Sequence, residues 1–379
     1  MQFVAGTTQP GAPFARRGES GGVTTFAPDV RVAVVGYGYW GSKHMRVLSS
    51  MPGVHVTIVD SDPERIAEAR RSYPSAESAH RLDDVLSRVD AVVVATPPSA
   101  HAEVGLQALR HGRHALVEKP LATTVEHAQE MVDSAAANKV HLMVGHTFEY
   151  NAAVWKLKEI IDSGELGRIL YIDAARLSLG KYQRDCNVIW DLAPHDISIA
   201  SYLLGEVPRT TCVWAKRHVG NRHADVAYLR LDFEQAATHA FVHVSWLDPC
   251  KVRRVTVVGE RKMAVYDDMS DNERIRVYDI GVDPADPDDH GESHAMPVSY
   301  RTGDIVSPFV QFSEPLLVQD SHFIECIRTG AKPNTPGERG LDIVRVLAAT
   351  DVAEATGRPA FITSSTDPAG ANLVRGVAS

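Results

Sequence analysis

Residues 30–41 read VRVAVVGYGYWG, a β-branched run that ends in Gly36-Tyr37-Gly38-Tyr39-Trp40-Gly41 before a helical pattern opens at Ser42. This is G-x-G-x-x-G between a buried strand and a helix, a context in which each glycine has its own physical task. Gly36 permits the tight turn, Gly38 lets the backbone approach a pyrophosphate, and Gly41 lets the helix pack closely on the strand. The phosphates would meet unpaired N–H groups at the helix N-terminus, where the dipole favours negative charge. Tyr37, Tyr39 and Trp40 fill the variable positions and are expected along the same ligand.

The next β-like run, VHVTIV at 54–59, ends in Asp60, a little over 20 residues past the first glycine. An acid there accepts hydrogen bonds from adenosine ribose hydroxyls and repels a 2′-phosphate, which favours NAD over NADP. Asp60 could instead simply cap the helix that follows, and nearby Arg65 leaves room for NADP.

The 379 residues suit two domains, and 44% hydrophobic with 23% charged residues describes an ordinary globular chain. A net charge of −9 without a Lys/Arg-rich run argues against nucleic acid as a partner. Four widely separated cysteines form no C-x-x-C pair, which argues against a zinc site or a disulfide framework and fits a reducing cytoplasm. No apolar stretch reaches the roughly 20 residues a membrane helix needs. Residues 1–28 lack a signal-like hydrophobic core and read as a disordered tail, and 362–379 form a second tail.

After Asp60, helical and strand patterns alternate as a doubly wound parallel sheet requires. Helices are expected over 64–71 and, briefly, 82–87. DAVVVA at 90–95 is a strand covered on both faces, ending in Thr96-Pro97-Pro98 with His101 opening the next helix. The strand 114–117 ends in Glu118-Lys119-Pro120. Both turns lie at carboxyl ends of strands, where ligands of open α/β sheets gather. The strand 141–145 closes this domain, assigned to 29–147.

Residues 148–361 read as an α+β domain whose strands form a large, mostly antiparallel open sheet. The free face of that sheet is expected to bind a second copy, giving a homo-oligomer. A polar acidic loop is expected over 282–299, and late helices near 316–329 and 341–355 are expected to return to the first domain. Between the strands lies Ile189-Trp190-Asp191-Leu192-Ala193-Pro194-His195-Asp196. Pro194 belongs in a first turn, so the helix is expected to begin at about Asp191. Asp191 and His195, four apart, share a face, and a carboxylate touching an imidazole is a proton-handling pair. An N-cap Asp with a structural His is the alternative. Lys181, Arg184, Lys251 and Arg253 are candidates for a substrate phosphate or carboxylate.

The glycine motif, Glu118-Lys119-Pro120 and Asp191-x-x-x-His195 together resemble the Gfo/Idh/MocA family of sugar and cyclitol oxidoreductases, over residues 30–360. Within it, residues 187–197 and 245–251 look like members from nucleotide-sugar and secondary-metabolite sugar pathways. The resemblance implies a Rossmann domain followed by an α/β domain whose open sheet forms the oligomer interface, a dimer or tetramer. It implies that Lys119 contacts nicotinamide ribose and substrate, that Asp191 and His195 complete a catalytic triad, and that the Lys119–Pro120 bond is cis. It also places Thr96, Pro97, His101, Glu118 and His146 along the cofactor. The activity it implies is NAD-dependent oxidation of a ring secondary alcohol of a sugar, nucleotide sugar or cyclitol, with no metal. An NADPH-dependent ketosugar reductase and a non-catalytic NAD-binding sensor are the rival readings.

Overall fold

The near-continuous apolar runs of the first half form one parallel sheet because both faces are covered. Its strands are β1 (Val30–Val35), β2 (Val54–Val59), β3 (Glu77–Ala79), β4 (Ala91–Val94), β5 (His114–Val117) and β6 (Leu142–Val144), in the order β3-β2-β1-β4-β5-β6. This is the doubly wound order whose direction reverses between β1 and β4, opening a crevice at their carboxyl ends. Helices α1 (Tyr39–Ser49), α2 (Pro63–Ser72), α3 (His101–Arg110) and α4 (Val125–Asn138) make the crossovers. The computed structural model describes residues 28–220, 222–284 and 298–362. The two expected tails, apart from their inner ends, lie outside the described residues.

The second half adds α5 (Ala152–Asp162), β7 (Ile169–Leu177), α6 (Val188–Leu204), β8 (Thr210–Lys216), β9 (Val226–Phe233), β10 (Thr238–Ser245), β11 (Val252–Gly259), β12 (Met263–Asp267) and β13 (Ile275–Tyr278). Then come β14 (Gly281–Pro284), β15 (Val298–Arg301), β16 (Ile305–Val306), α7 (Pro315–Thr329), α8 (Gly337–Thr356) and β17 (Ala360–Phe361). Nine of these strands form a sheet in the order β16-β13-β12-β11-β7-β10-β9-β8-β17. Its neighbours are antiparallel except β10 with β7, which run parallel.

One face of this sheet packs on α5 and α6 through a core that includes Leu157, Ile172, Ile197, Leu229, Val242 and Val257. The other face displays Tyr171, Trp214, Tyr228 and Phe241, each about half exposed. The late helices divide between the two faces of the parallel sheet. Phe323 and Ile324 of α7 join Val32, Val34 and Leu48 on one face, and Leu341 and Val344 of α8 join Val92, Leu109 and Met131 on the other.

Three local expectations differ from the structure. Residues 82–87 make two 3₁₀ turns, Leu82–Asp84 and Leu86–Arg88, rather than an α-helix. A segment that short cannot repay helix nucleation, and burial of Leu82, Val85, Leu86 and Val89 holds it instead. Helix α6 begins at Val188, one turn before Asp191, because Asn187 caps it: its side chain accepts from Trp190 N at 3.0 Å. Pro194 therefore sits inside the helix, where it leaves the Trp190 carbonyl without a helical donor. Finally, the ends of the acidic 282–299 stretch pair as the β14–β15 ribbon, while 285–297 lie outside the described residues.

Candidate active site

Sterics in the glycine turn require glycine at two of the three positions. Gly36 has φ +91°, and a Cβ there would stand 2.8 Å from the Ala95 carbonyl oxygen. A Cβ on Gly41 would lie 1.7 Å from the Gly36 oxygen, so this first-turn position of α1 admits only glycine. Gly38 is different. Its added Cβ would meet nothing nearer than the Arg65 guanidinium, at an ordinary contact distance of 3.6 Å, so no protein backbone crowds this glycine. It also caps α1 with no side-chain hydrogen bond, leaving first-turn N–H groups for an anion. Trp40 lines the crevice, Tyr39 is largely exposed, and Tyr37 is buried against Met45 and Ile58.

Asp60 lies at the end of β2, where both its oxygens accept backbone N–H groups: Oδ2 from Tyr37 at 2.6 Å and Oδ1 from Asp62 at 2.9 Å. Helix α2 is capped by Asp62 instead, which accepts from Glu64 N. Arg65 approaches Asp60 Oδ2 to 3.8 Å.

The turn after β4 and the cis Lys119–Pro120 turn after β5 form the other wall. His101 braces the two: its ring nitrogens face the Pro120 carbonyl at 2.8 Å and the Thr96 carbonyl at 2.9 Å. Pro97 is exposed outside the cavity lining, whereas Thr96, Pro98 and Ser99 line it. Several buried polar atoms here lack a protein partner: Thr96 Oγ1, both ring nitrogens of His146, and His195 Nδ1. Of these residues only Thr96 lines the crevice, and its orphaned hydroxyl, with first-turn N–H groups of α1 left uncapped at Gly38, fits a dinucleotide whose groups would satisfy them; His146 lines neither cavity. Burial, reinforced by Arg339 and Lys119, pulls His146 down to about 3, so it is neutral.

Beneath this wall lies an ionic network that sequence reasoning missed. His44 on α1 is fully buried between Glu118 and Asp320 of α7. Its Nε2 is 3.1 Å from Glu118 Oε1, and its Nδ1 is 2.9 Å from Asp320 Oδ2. Burial alone would strip the imidazole of its proton, but Asp320 and then Glu118 overcome that and raise its pKa to about 10. Burial pushes the Asp320 carboxyl up while His44 pulls it down. With the imidazole held between two carboxylates, the charged pair is the form this geometry favours. Glu118 Oε2 accepts from Lys119 N, so the network ends at the backbone of the candidate catalytic lysine. To Glu118 it adds a histidine three residues past the glycine motif and an aspartate far along the chain. Only the spacing of His44 hints at it.

Lys119 reaches across to α6. Its Nζ donates to the Asp191 carbonyl at 2.7 Å and lies 3.6 Å from Asp191 Oδ1. The other carboxylate oxygen, Oδ2, accepts from the indole N–H of buried Trp246 at 3.0 Å. The expected Asp191–His195 hydrogen bond is not formed; the Asp191 carboxylate is turned to Lys119 and Trp246, and His195 Nδ1 has no partner. His195 instead packs edge-on against Phe148, with centroids 5.0 Å apart. Burial, then Lys119, Arg176, His146 and Arg253, holds its pKa well below the usual value. It is a neutral imidazole, able to accept a proton at neutral pH.

His195 faces a second cavity of about 460 Å³, within the size range of small-molecule sites. Arg176, bidentate on buried Asp196 at 2.8 and 2.9 Å, forms part of its wall. So do Lys251 and Arg253, whereas exposed Lys181 and Arg184 line neither cavity. The two cavities share Trp40, Lys119 and Asp191.

Comparison with known proteins agrees with this architecture. A family model described as an oxidoreductase family with an NAD-binding Rossmann fold matches residues 30–146, and the GFO/IDH/MocA C-terminal domain matches 154–265. A 4-carboxy-2-hydroxymuconate-6-semialdehyde dehydrogenase from a Sphingobium species is 26% identical over 85% of this chain and 98% of its own. Inositol 2-dehydrogenase 2 of Saccharopolyspora erythraea is 31% identical over 52% of this chain and 60% of its own length. Several other curated relatives are likewise spanned only over about half their length. The crystal structure of GenD2 from gentamicin A biosynthesis, in complex with NAD, shares the fold with a TM-score of 0.74 at 22% identity, covering 92% of this chain and 100% of its own.

Proposed function

Because this chain belongs to the Gfo/Idh/MocA family of NAD-binding oxidoreductases, we propose that it reversibly oxidises a ring secondary alcohol of a sugar, nucleotide sugar or cyclitol to a ketone. The observation that carries this reading is the junction of the two cavities at Lys119 and Asp191, with neutral His195 on the substrate side. When bound, NAD supplies the hydride acceptor. Gly38 and the first turn of α1 would hold its pyrophosphate, and Asp60 its ribose. His195 takes the hydroxyl proton at Nε2, the nitrogen not sealed in the wall. Lys119 Nζ hydrogen-bonds the same oxygen and stabilises the negative charge developing there. Asp191, fixed by the Trp246 indole, aims the ammonium group rather than the imidazole. The protein is taken to act in the cytoplasm, and the aromatic free face of the nine-stranded sheet to pair two copies.

The test is His195→Ala, read by steady-state kinetics and NADH fluorescence titration. The variant should lose about 10²–10⁴ in kcat while NADH affinity stays within about twofold. Equal loss of both refutes the proton-transfer role. Arg65, standing 3.8 Å from Asp60, favours a second reading in which NADPH serves a ketosugar reductase. Tighter binding of NADPH than NADH, lost in Arg65→Ser, would select it.

A further inference from the structure

The cavity facing His195 is positive within a chain of net charge −9. Lys43, Lys119, Arg176, Lys251, Arg253 and Arg274 line it against the carboxylates Asp191, Asp268 and Glu314. Most of these charges are already committed. Lys119 is held by Asp191, Arg176 by Asp196, and Lys43 lies over the Tyr39 ring. Glu314 is drawn away to Arg46, outside the cavity. Lys251, Arg253 and Arg274 are left with Asp268 alone.

Asp268 is a poor neutraliser for three cations, because neutral donors also claim it. Its Oδ1 accepts from Tyr266 at 2.9 Å and from Asn151 at 3.4 Å. Arg253 gives it only Nη1, at 3.3 Å, and Arg274 likewise uses Nη1 on its carboxylate and carbonyl. The Nε and Nη2 groups of both arginines, and the Lys251 ammonium, have no protein acceptor among the described residues. Aromatic rings fix the two guanidiniums, Arg253 over Phe148 at 5.8 Å and Arg274 over Phe312 at 4.6 Å. Oriented guanidinium forks with spare donors match the paired oxygens of a carboxylate or phosphate.

The position of this receptor relative to the chemistry is also set. Arg253 and His195 contact the same Phe148 ring, so one aromatic side chain separates the receptor from the proton acceptor. A group bound there belongs on the substrate ring or on an atom attached to it. We propose that the substrate carries an oxyanion, a carboxylate or phosphoryl group, received by Arg253 and Arg274 with Lys251 at the mouth. This rests on reading the cavity as the alcohol-binding site.

The test is calorimetric titration of the protein, with and without NADH, by D-glucuronate, D-glucose 6-phosphate and D-glucose. At least one charged sugar should bind ten times more tightly than glucose, and 0.5 M NaCl should erase most of that preference. The uronate and phosphate arms show which oxyanion the receptor prefers. Arg253→Gln should reduce the preference about tenfold and Lys251→Gln about threefold, with NADH affinity and melting temperature unchanged in the lysine variant. Charged sugars that bind no better than glucose, including no binding by any of the three, overturn the proposal. So does an undiminished preference in both variants. Failure to bind NADH counts against the dehydrogenase reading alone, because the sugar titration without dinucleotide judges the receptor by itself.

Discussion

Replacing His44 with glutamine probes the buried link between α1, α7 and the Lys119 turn. In the folded chain the imidazole pKa is about 10, against 6.5 for a free histidine. At about 1.4 kcal/mol per tenfold change, that difference stores about 5 kcal/mol of pH-dependent stability. The sign follows from which state keeps the proton. Below about pH 6.5 both folded and unfolded chains hold it, and the stabilisation is complete. As pH rises toward 10 the unfolded chain has released a proton that the folded chain still retains, and the stabilisation is lost. Glutamine leaves Glu118 and Asp320 buried without a cation, so at pH 7 the variant should be less stable by about 3–5 kcal/mol. Urea unfolding of both proteins at pH 6.5, 8 and 9.5 provides the assay. The gap between them should narrow steadily as pH rises. A gap below about 1 kcal/mol at pH 7, or one that does not change with pH, would refute the charged imidazole.

Other parts of the site yield separate expectations. Gly38→Ala should weaken NADH binding at least tenfold while leaving the melting temperature nearly unchanged, because its Cβ would meet only the Arg65 guanidinium at an ordinary 3.6 Å; Gly41→Ala should fail to fold stably, its Cβ overlapping the Gly36 oxygen. Trp246→Phe removes the indole donor from Asp191 and should lower kcat about tenfold with little change in NADH affinity, as measured by steady-state kinetics and titration. The wild-type rate should persist as pH falls through 6.5, since burial and neighbouring cations keep His195 neutral well below that value; a loss of kcat/KM with an apparent pKa near 6.5 would assign the proton acceptor elsewhere. If the free sheet face pairs two copies as proposed, Tyr228→Asp there should shift the protein from dimer to monomer in sedimentation velocity without altering NADH affinity.

The sequence alone determined the elements whose signals are local. A β-branched run, three glycines and an acid at the next strand end identify the dinucleotide half, since each residue acts on its own turn. Period-two runs after period-3.6 helices likewise announced the second sheet, and Glu118-Lys119-Pro120 lay at a strand end as the alternating pattern required. Tertiary structure decided what depends on contacts between distant segments. His44 and Asp320 carry no local pattern that pairs them, and only the return of α7 to the parallel sheet buries one against the other. Helical spacing put Asp191 and His195 on one face, but neighbours decide where a side chain turns. Lys119 from β5 and Trp246 from the end of β10 claimed the carboxylate, and Phe148 claimed the imidazole. The Arg253–Asp268–Arg274 group assembles from successive strands of the open sheet, and its charge acquires meaning only beside the cavity that those strands enclose.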